Sequence, residues 1–314
     1  LLILALVLGL GALKEPRLLS SESISAMVLW LPILVSLAIG QMFVIVSRGI
    51  DVSVGSTMAL SALAAGMSFR AYPDLAVGWG VCVAVVGGAV LGAVNGILVT
   101  CARVPPIIAT LGTLSIYRGL TLWISGGEQI DANHLPVALS RWSVEGPVRI
   151  GEIVLPWLLV AALVVALLAQ VAMRHTLWGR SLYMIGGNPE AARMRGIAVS
   201  WSLFWAYLAC GTCAGLGGIL YAAQFGFVNP GITGLGFELT VIAATVIGGC
   251  DVRGGVGSVV GVLLGCALLA AVNVTLAVLG IAADWQTLAY GAIIVLALVL
   301  DALAGRWMAR GAQA

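Results

Sequence analysis

The chain has 314 residues, is 61% hydrophobic and only 9% charged, and carries a net charge of +2 from 15 basic and 13 acidic side chains. Its mean hydropathy of +1.11 lies far outside the range of soluble globular domains. A soluble fold is thereby excluded, no nucleic-acid partner is indicated, and the expected class is an all-α polytopic membrane bundle.

Taken in order, residues 1–13 form an apolar run that begins at Leu1 without Met or a basic leader, and read as the remnant of a truncated first span. Residues 26–46, 76–100, 153–173, 201–224 and 259–283 are each free of Asp, Glu, Lys, Arg and His for 21 or more positions. Each is long enough to cross a hydrocarbon core of about 30 Å as a helix. Weaker spans follow at 54–69, 107–125, 238–249 and 285–303, giving about ten transmembrane helices in a single domain over 1–314. The loops then alternate. Arg48, Arg103, Arg174, Arg180, Arg193, Arg195, Arg253, Arg306 and Arg310 fall on one side, and Lys14, Arg17, Arg70, Arg141 and Arg149 on the other, with Arg118 left inside a span. The positive-inside rule makes the first side cytoplasmic and places both termini there. Loop 174–200 is then cytoplasmic and 126–152 is the longest outside loop. Trp79, Trp123, Trp157, Trp178, Trp201, Trp285 and Trp307 sit near span ends, as interfacial anchors do.

Several chemistries lack their residues. A Walker A loop needs a Gly-Lys pair, and the single lysine, Lys14, follows Leu13. His134 and His175 fall on opposite sides, so no metal or redox cofactor is expected. The six cysteines lie mostly in or beside spans, where a thiol is a small apolar side chain. An ion-coupled carrier keeps carboxylates deep in the membrane, whereas Asp51, Glu238, Asp251 and Asp301 read as boundary residues. A membrane enzyme would need a nucleophile with a base or a metal, and neither constellation is found.

Three features remain. In "GGNPEAARMRGI", residues 186–197, Asn188 is a good N-cap, Pro189 suits the first helical position and Glu190 favours the helix dipole. Arg193 and Arg195 fall in the last turn, and Gly196 supplies a left-handed stop. This is a short polar helix on which Ala191 and Ala192 form a small, smooth face. Second, "RGIDVSVGS" at 48–56 is echoed by "GGCDVRGGVGS" at 248–258, which pairs Asp51, Gly55 and Ser56 with Asp251, Gly257 and Ser258 as gate or turn candidates. The copies are offset by about six spans and would be parallel repeats, a pointer to a transport pathway. Third, Gln41, Asn95, Gln224 and Asn273 are amides in or at the ends of apolar helices, where each needs a partner or water. They are the candidates for lining a pathway, and uncharged amides suit a neutral hydroxylated solute.

Together with "VNGILVTCARVPPIIATLGTLSIYRGL" and "GLGGILYAAQFGFVNPGITGLGFELTVIAATVIGGCDVRGGVGSVVG", these motifs resemble the permease subunits of ribose-type ABC importers, over about residues 26–303. Relatives in that group carry sugars or the autoinducer-2 furanone. The resemblance implies a dimer with a second permease, identical or a sister subunit, in the bacterial inner membrane. It also implies an ABC ATPase subunit that uses ATP and Mg while this chain binds no cofactor, and a periplasmic or surface sugar-binding protein. The helix at 188–196 would be the coupling helix that docks on the ATPase. The alternative is an ion-coupled secondary sugar transporter.

Overall fold

A computed structural model describes residues 2–281 and, beyond them, Trp285, Leu288, Gly291, Ala292 and Val295. The helices are α1 (Leu2–Lys14), α2 (Ser21–Val46), α3 (Val54–Ala71), α4 (Val77–Thr100), α5 (Pro106–Ser125), α6 (Val137–Val144), α7 (Trp157–His175), α8 (Leu177–Gly187), α9 (Pro189–Met194), α10 (Val199–Phe225), α11 (Phe237–Ile247) and α12 (Val259–Val278). Between α6 and α7 lies a small antiparallel hairpin of β1 (Val148–Ile150) and β2 (Ile153–Leu155), with Arg149 opposite Val154. The span expected from residue 153 therefore starts late. Pro156 confines Leu155 to extended backbone and then opens the helix at Trp157.

Among the described residues six helices are long and apolar enough to cross a membrane: α2, α4, α5, α7, α10 and α12. This supports a polytopic bundle but falls short of the expected ten. Helix α1 has 13 residues, α3 is diluted by Ser, Thr, Gly and Arg70, and the 11 residues of α11 extend only about 16 Å. The expected span at 285–303 lies mostly outside the described residues.

Helix α2 is the central pillar. It is apolar on every side, and every residue from Pro32 to Ser47 is buried, as befits a helix without a polar face. Antiparallel α10 lies against it, with Gly40 on Cys210 and Cys213, and Gly217 on Leu37. On the other side of α10 runs α4, at backbone contact. A Cβ on Gly88 would strike the Gly211 carbonyl and come within 2.7 Å of Gly215 Cα, and one on Gly92 would meet Gly211 Cα at 2.9 Å. Small residues permit this approach, and in lipid the close packing itself drives helix association.

The bundle has two ends. At one, the termini of α2, α4, α7 and α8 meet α9 and the starts of α5, α10 and α12. At the other, Ile130 and Val228 exchange two backbone hydrogen bonds of 3.0 and 2.9 Å, and Asn229 Nδ2 donates to Gln129 Oε1 at 2.8 Å. All six cysteines are free. Burial in the 248–258 loop pushes the Cys250 thiol up to about 11, which keeps it protonated and unreactive near neutral pH.

Candidate functional site

Helix α9 is closed at both ends by the residues the sequence singles out. Asn188 Oδ1 accepts from Glu190 N and Ala191 N, both at 3.0 Å, and Pro189 occupies the first turn, where its missing N–H costs nothing. At the other end Gly196 has φ +79°, its N–H donates to the Arg193 carbonyl at 2.9 Å, and Ile197 N donates to the Ala192 carbonyl at 3.1 Å. These two bonds make a Schellman stop. Six residues are thus held helical without help from length.

The faces of α9 differ from expectation. Ala192 is 2% exposed and packs with Ile185, Val199, Ile197 and Leu203, so it seats α9 on its own chain and has no surface to offer a partner. The outward face is Glu190, Arg193, Met194 and Arg195, with Met194 84% exposed. Ala192→Trp is accordingly expected to dislodge α9 from α8 and α10, at an overpacking cost of ~1–3 kcal/mol or more. Faster proteolytic cleavage between residues 186 and 199 would register it, and unchanged cleavage would contradict the packing described.

The segment preceding α9 butts directly onto the end of α2 and the 248–258 loop. A Cβ on Gly186 would collide with the Val46 carbonyl and the Gly255 N–H, and Gly255 N itself donates to Val46 O at 2.8 Å. The repeats share one turn. Asp51 Oδ1 accepts from Ser53 N at 2.9 Å and Asp251 Oδ1 accepts from Arg253 N at 2.8 Å, the same two-residue reach in both copies. Their ends diverge. Ser258 caps α12 by accepting from Gly261 N at 3.0 Å, whereas Gly55 and Ser56 already lie inside the first turn of α3. Gly257 precedes the α12 cap and packs against Cys250 and Val46.

Asp251 stays near the surface beside Arg253, at 3.4 Å, but Asp51 corrects the reading of a boundary acid. It is 1% exposed, because the 47–53 loop turns back into the bundle beside Tyr207 and Cys210, well inside α10. Its Oδ1 also accepts from Ser53 Oγ at 2.7 Å, and its Oδ2 from Asn95 Nδ2 at 3.3 Å. Asn95 Nδ2 further donates to Ser53 Oγ at 2.8 Å, and Asn95 Oδ1 accepts from Thr113 Oγ1 at 2.7 Å. Gln41, with its amide turned to suit its neighbours, donates to the Asp51 carbonyl at 3.1 Å and accepts from Asp51 N at 3.2 Å. Loop, α2, α4 and α5 are thereby tied at one buried polar centre. Gln41 and Asn95 are each 0% exposed, so neither faces an open pathway as the sequence suggests; they satisfy Asp51. Gln224 and Asn273 are half-buried and lie apart from this centre, and Gln224 Oε1 has no hydrogen-bond partner among the described residues.

Arg118 and Glu238, which the sequence presents as a charge left inside a span and a boundary acid, come within electrostatic reach of each other. Arg118 is the one charged residue of the six long apolar helices that lies outside a first or last turn. Its Nη1 donates to the Thr233 carbonyl at 2.7 Å and weakly to that of Pro230 at 3.5 Å, while Glu238, in the first turn of α11, is within electrostatic reach. Charge within a span is the sequence signal that marks Arg118.

Comparison with known proteins agrees with this architecture. Residues 23–298 match the family model described as the permease component of the branched-chain amino acid transport system. The autoinducer 2 import system permease protein LsrC of Enterobacter sp. (strain 638) is 38% identical over 95% of this chain and 84% of its own length. The LsrC of Salmonella typhi is 38% identical over 95% and 83%, and that of Klebsiella pneumoniae 39% over 90% and 79%. No solved structure matches the chain. With a capped surface helix at one end of a polytopic bundle and a family match over most of its length, the chain belongs to the ABC importer permease components, in which ATP hydrolysis is the work of a separate subunit.

Proposed function

We propose that this chain carries a neutral, hydroxylated solute of the sugar or autoinducer-2 class across the inner membrane, receiving it from an extracytoplasmic binding protein. The names of the relatives and the scarcity of charge within the spans support that solute class. In this reading the chain has about ten spans with both termini cytoplasmic, pairs with a second permease within the lipid bilayer, and binds no cofactor of its own. Seven of the nine arginines assigned to the cytoplasm lie at the α9 end among the described residues, which favours that orientation. ATP and Mg act in the partner ATPase, which grips the outer face of α9. The observation that carries the reading is α9 itself: fixed at both ends, buried on Ala192 and presenting Arg193 and Met194 outward.

The test is uptake of labelled autoinducer 2 into ATP-loaded vesicles holding the complete complex, with ionophores collapsing proton and sodium gradients. Uptake is expected to persist for the wild type and to fall at least tenfold for Arg193→Glu, with the permease still folded. Arrest of wild-type uptake by ionophore while ATP is plentiful would favour the ion-coupled carrier and overturn the reading.

A further inference from the structure

We propose that Arg118 and Glu238 form a paired donor and acceptor in the solute pathway, contacting hydroxyl groups of the passing solute; this rests on the transport reading above. Arg118 is the thirteenth of the 20 residues of α5, so its Cα lies about 18 Å along the helix from Pro106. The side chain is half-buried, and the hydrogen bonds found for it within the described residues run through Nη1 alone, to Thr233 and Pro230. The remaining guanidinium donors are left for another partner. Glu238 is also half-buried and makes no hydrogen bond through its carboxylate within the described residues, although it sits against α3, where a Cβ on Gly55 would come within 2.7 Å of Oε2. Gly55 thus leaves room for the acid beside the break between α10 and α11.

Near them along the chain, Leu111 two turns before Arg118 and Leu235 and Leu239 beside Glu238 are about half exposed or more. A guanidinium with unused donors well inside a membrane-spanning helix, and a carboxylate with unused acceptors within its electrostatic reach, do not rest on hydrocarbon, so what faces them is protein or water. A fork of N–H donors within electrostatic reach of a carboxylate suits a solute with neighbouring hydroxyls, each of which gives and accepts a hydrogen bond. It offers nothing to an apolar solute and holds no net charge to trap an ion.

The same vesicles test it with Glu238→Gln and Arg118→Gln, using labelled autoinducer 2 and D-ribose as probes and recording thermal unfolding and stimulated ATP hydrolysis. Glu238→Gln keeps the shape of the side chain and breaks no internal hydrogen bond, so it should fold as the wild type does. Uptake is expected to fall at least tenfold while stimulated hydrolysis stays within twofold, the mark of a lost solute contact. Arg118→Gln also releases the Thr233 carbonyl and is expected to lower the unfolding temperature as well as uptake. Wild-type rates of uptake by Glu238→Gln would overturn the proposal, and so would a misfolded Glu238→Gln protein, which would make the carboxylate structural. Absence of ATP-driven uptake in the wild type would instead count against the transport reading.

Discussion

Asn95→Leu is expected to cost the protein its fold and not merely its transport. The substitution removes the donor to Asp51 Oδ2 and Ser53 Oγ and the 2.7 Å acceptor of Thr113 Oγ1, all in a region without solvent. Each buried polar group left without a partner costs ~1–3 kcal/mol. Asp51 keeps its two bonds to Ser53, and Thr113 keeps only a long one of 3.3 Å to the Thr110 carbonyl. The sum reaches several kcal/mol, against a total stability of ~5–15 kcal/mol for a typical domain. Thermal unfolding in detergent and size exclusion should show a large drop and a loss of monodisperse protein, together with loss of copurifying ATPase. Thr113→Val, which removes one hydroxyl and orphans one side of Asn95, is expected to do so more mildly. A stable Asn95→Leu permease that assembles normally and fails only in uptake would return Asn95 to the pathway.

Gly88→Val is the second substitution with a large expected effect. Here no partner is lost; space is. The α4 and α10 backbones touch along Ala84, Gly88 and Gly92 on one side and Tyr207, Gly211 and Gly215 on the other. Any Cβ at Gly88 lands on backbone atoms, which have no rotamer to yield, so the two helices must part along their length. Overpacking in a core costs ~1–3 kcal/mol when side chains can move, and more is expected where they cannot. Failure to recover folded protein from membranes is the predicted result. Gly112→Val on α5, where an added Cβ meets nothing within 4 Å, is the matched control and should be recovered normally. Equal recovery of the two variants would show that the seam gives way.

Much of this organisation is legible in the sequence because it is local. The long spans follow from composition alone, and the caps of α9 follow from side chains that reach only two or three residues along the chain. What is not legible depends on the third dimension. A six-residue helix is too short for periodicity to say which face is inward, so nothing in the sequence shows that Ala192 packs on Ile185 and Val199. Asp51 stands between two spans in the sequence, and hydropathy alone places such a residue at a boundary. Its depth comes from α2 ending at Val46 and the loop doubling back beside Cys210. The sequence shows that Gln41 and Asn95 are costly in an apolar helix; that an acid 44 residues before Asn95 is the partner is a fact of packing.

The junction at Gly186 has a mechanical consequence. Side chains commonly cushion the contact between two elements, because a push on one is absorbed as rotamers swing between staggered wells. Where Gly186 meets Val46 O and Gly255 N, main chain bears on main chain with nothing in between. Such a joint has almost no play. A displacement of the end of α8 would therefore bear at once on the end of the central pillar and on the 248–258 loop, as a push on a strut rather than on a spring.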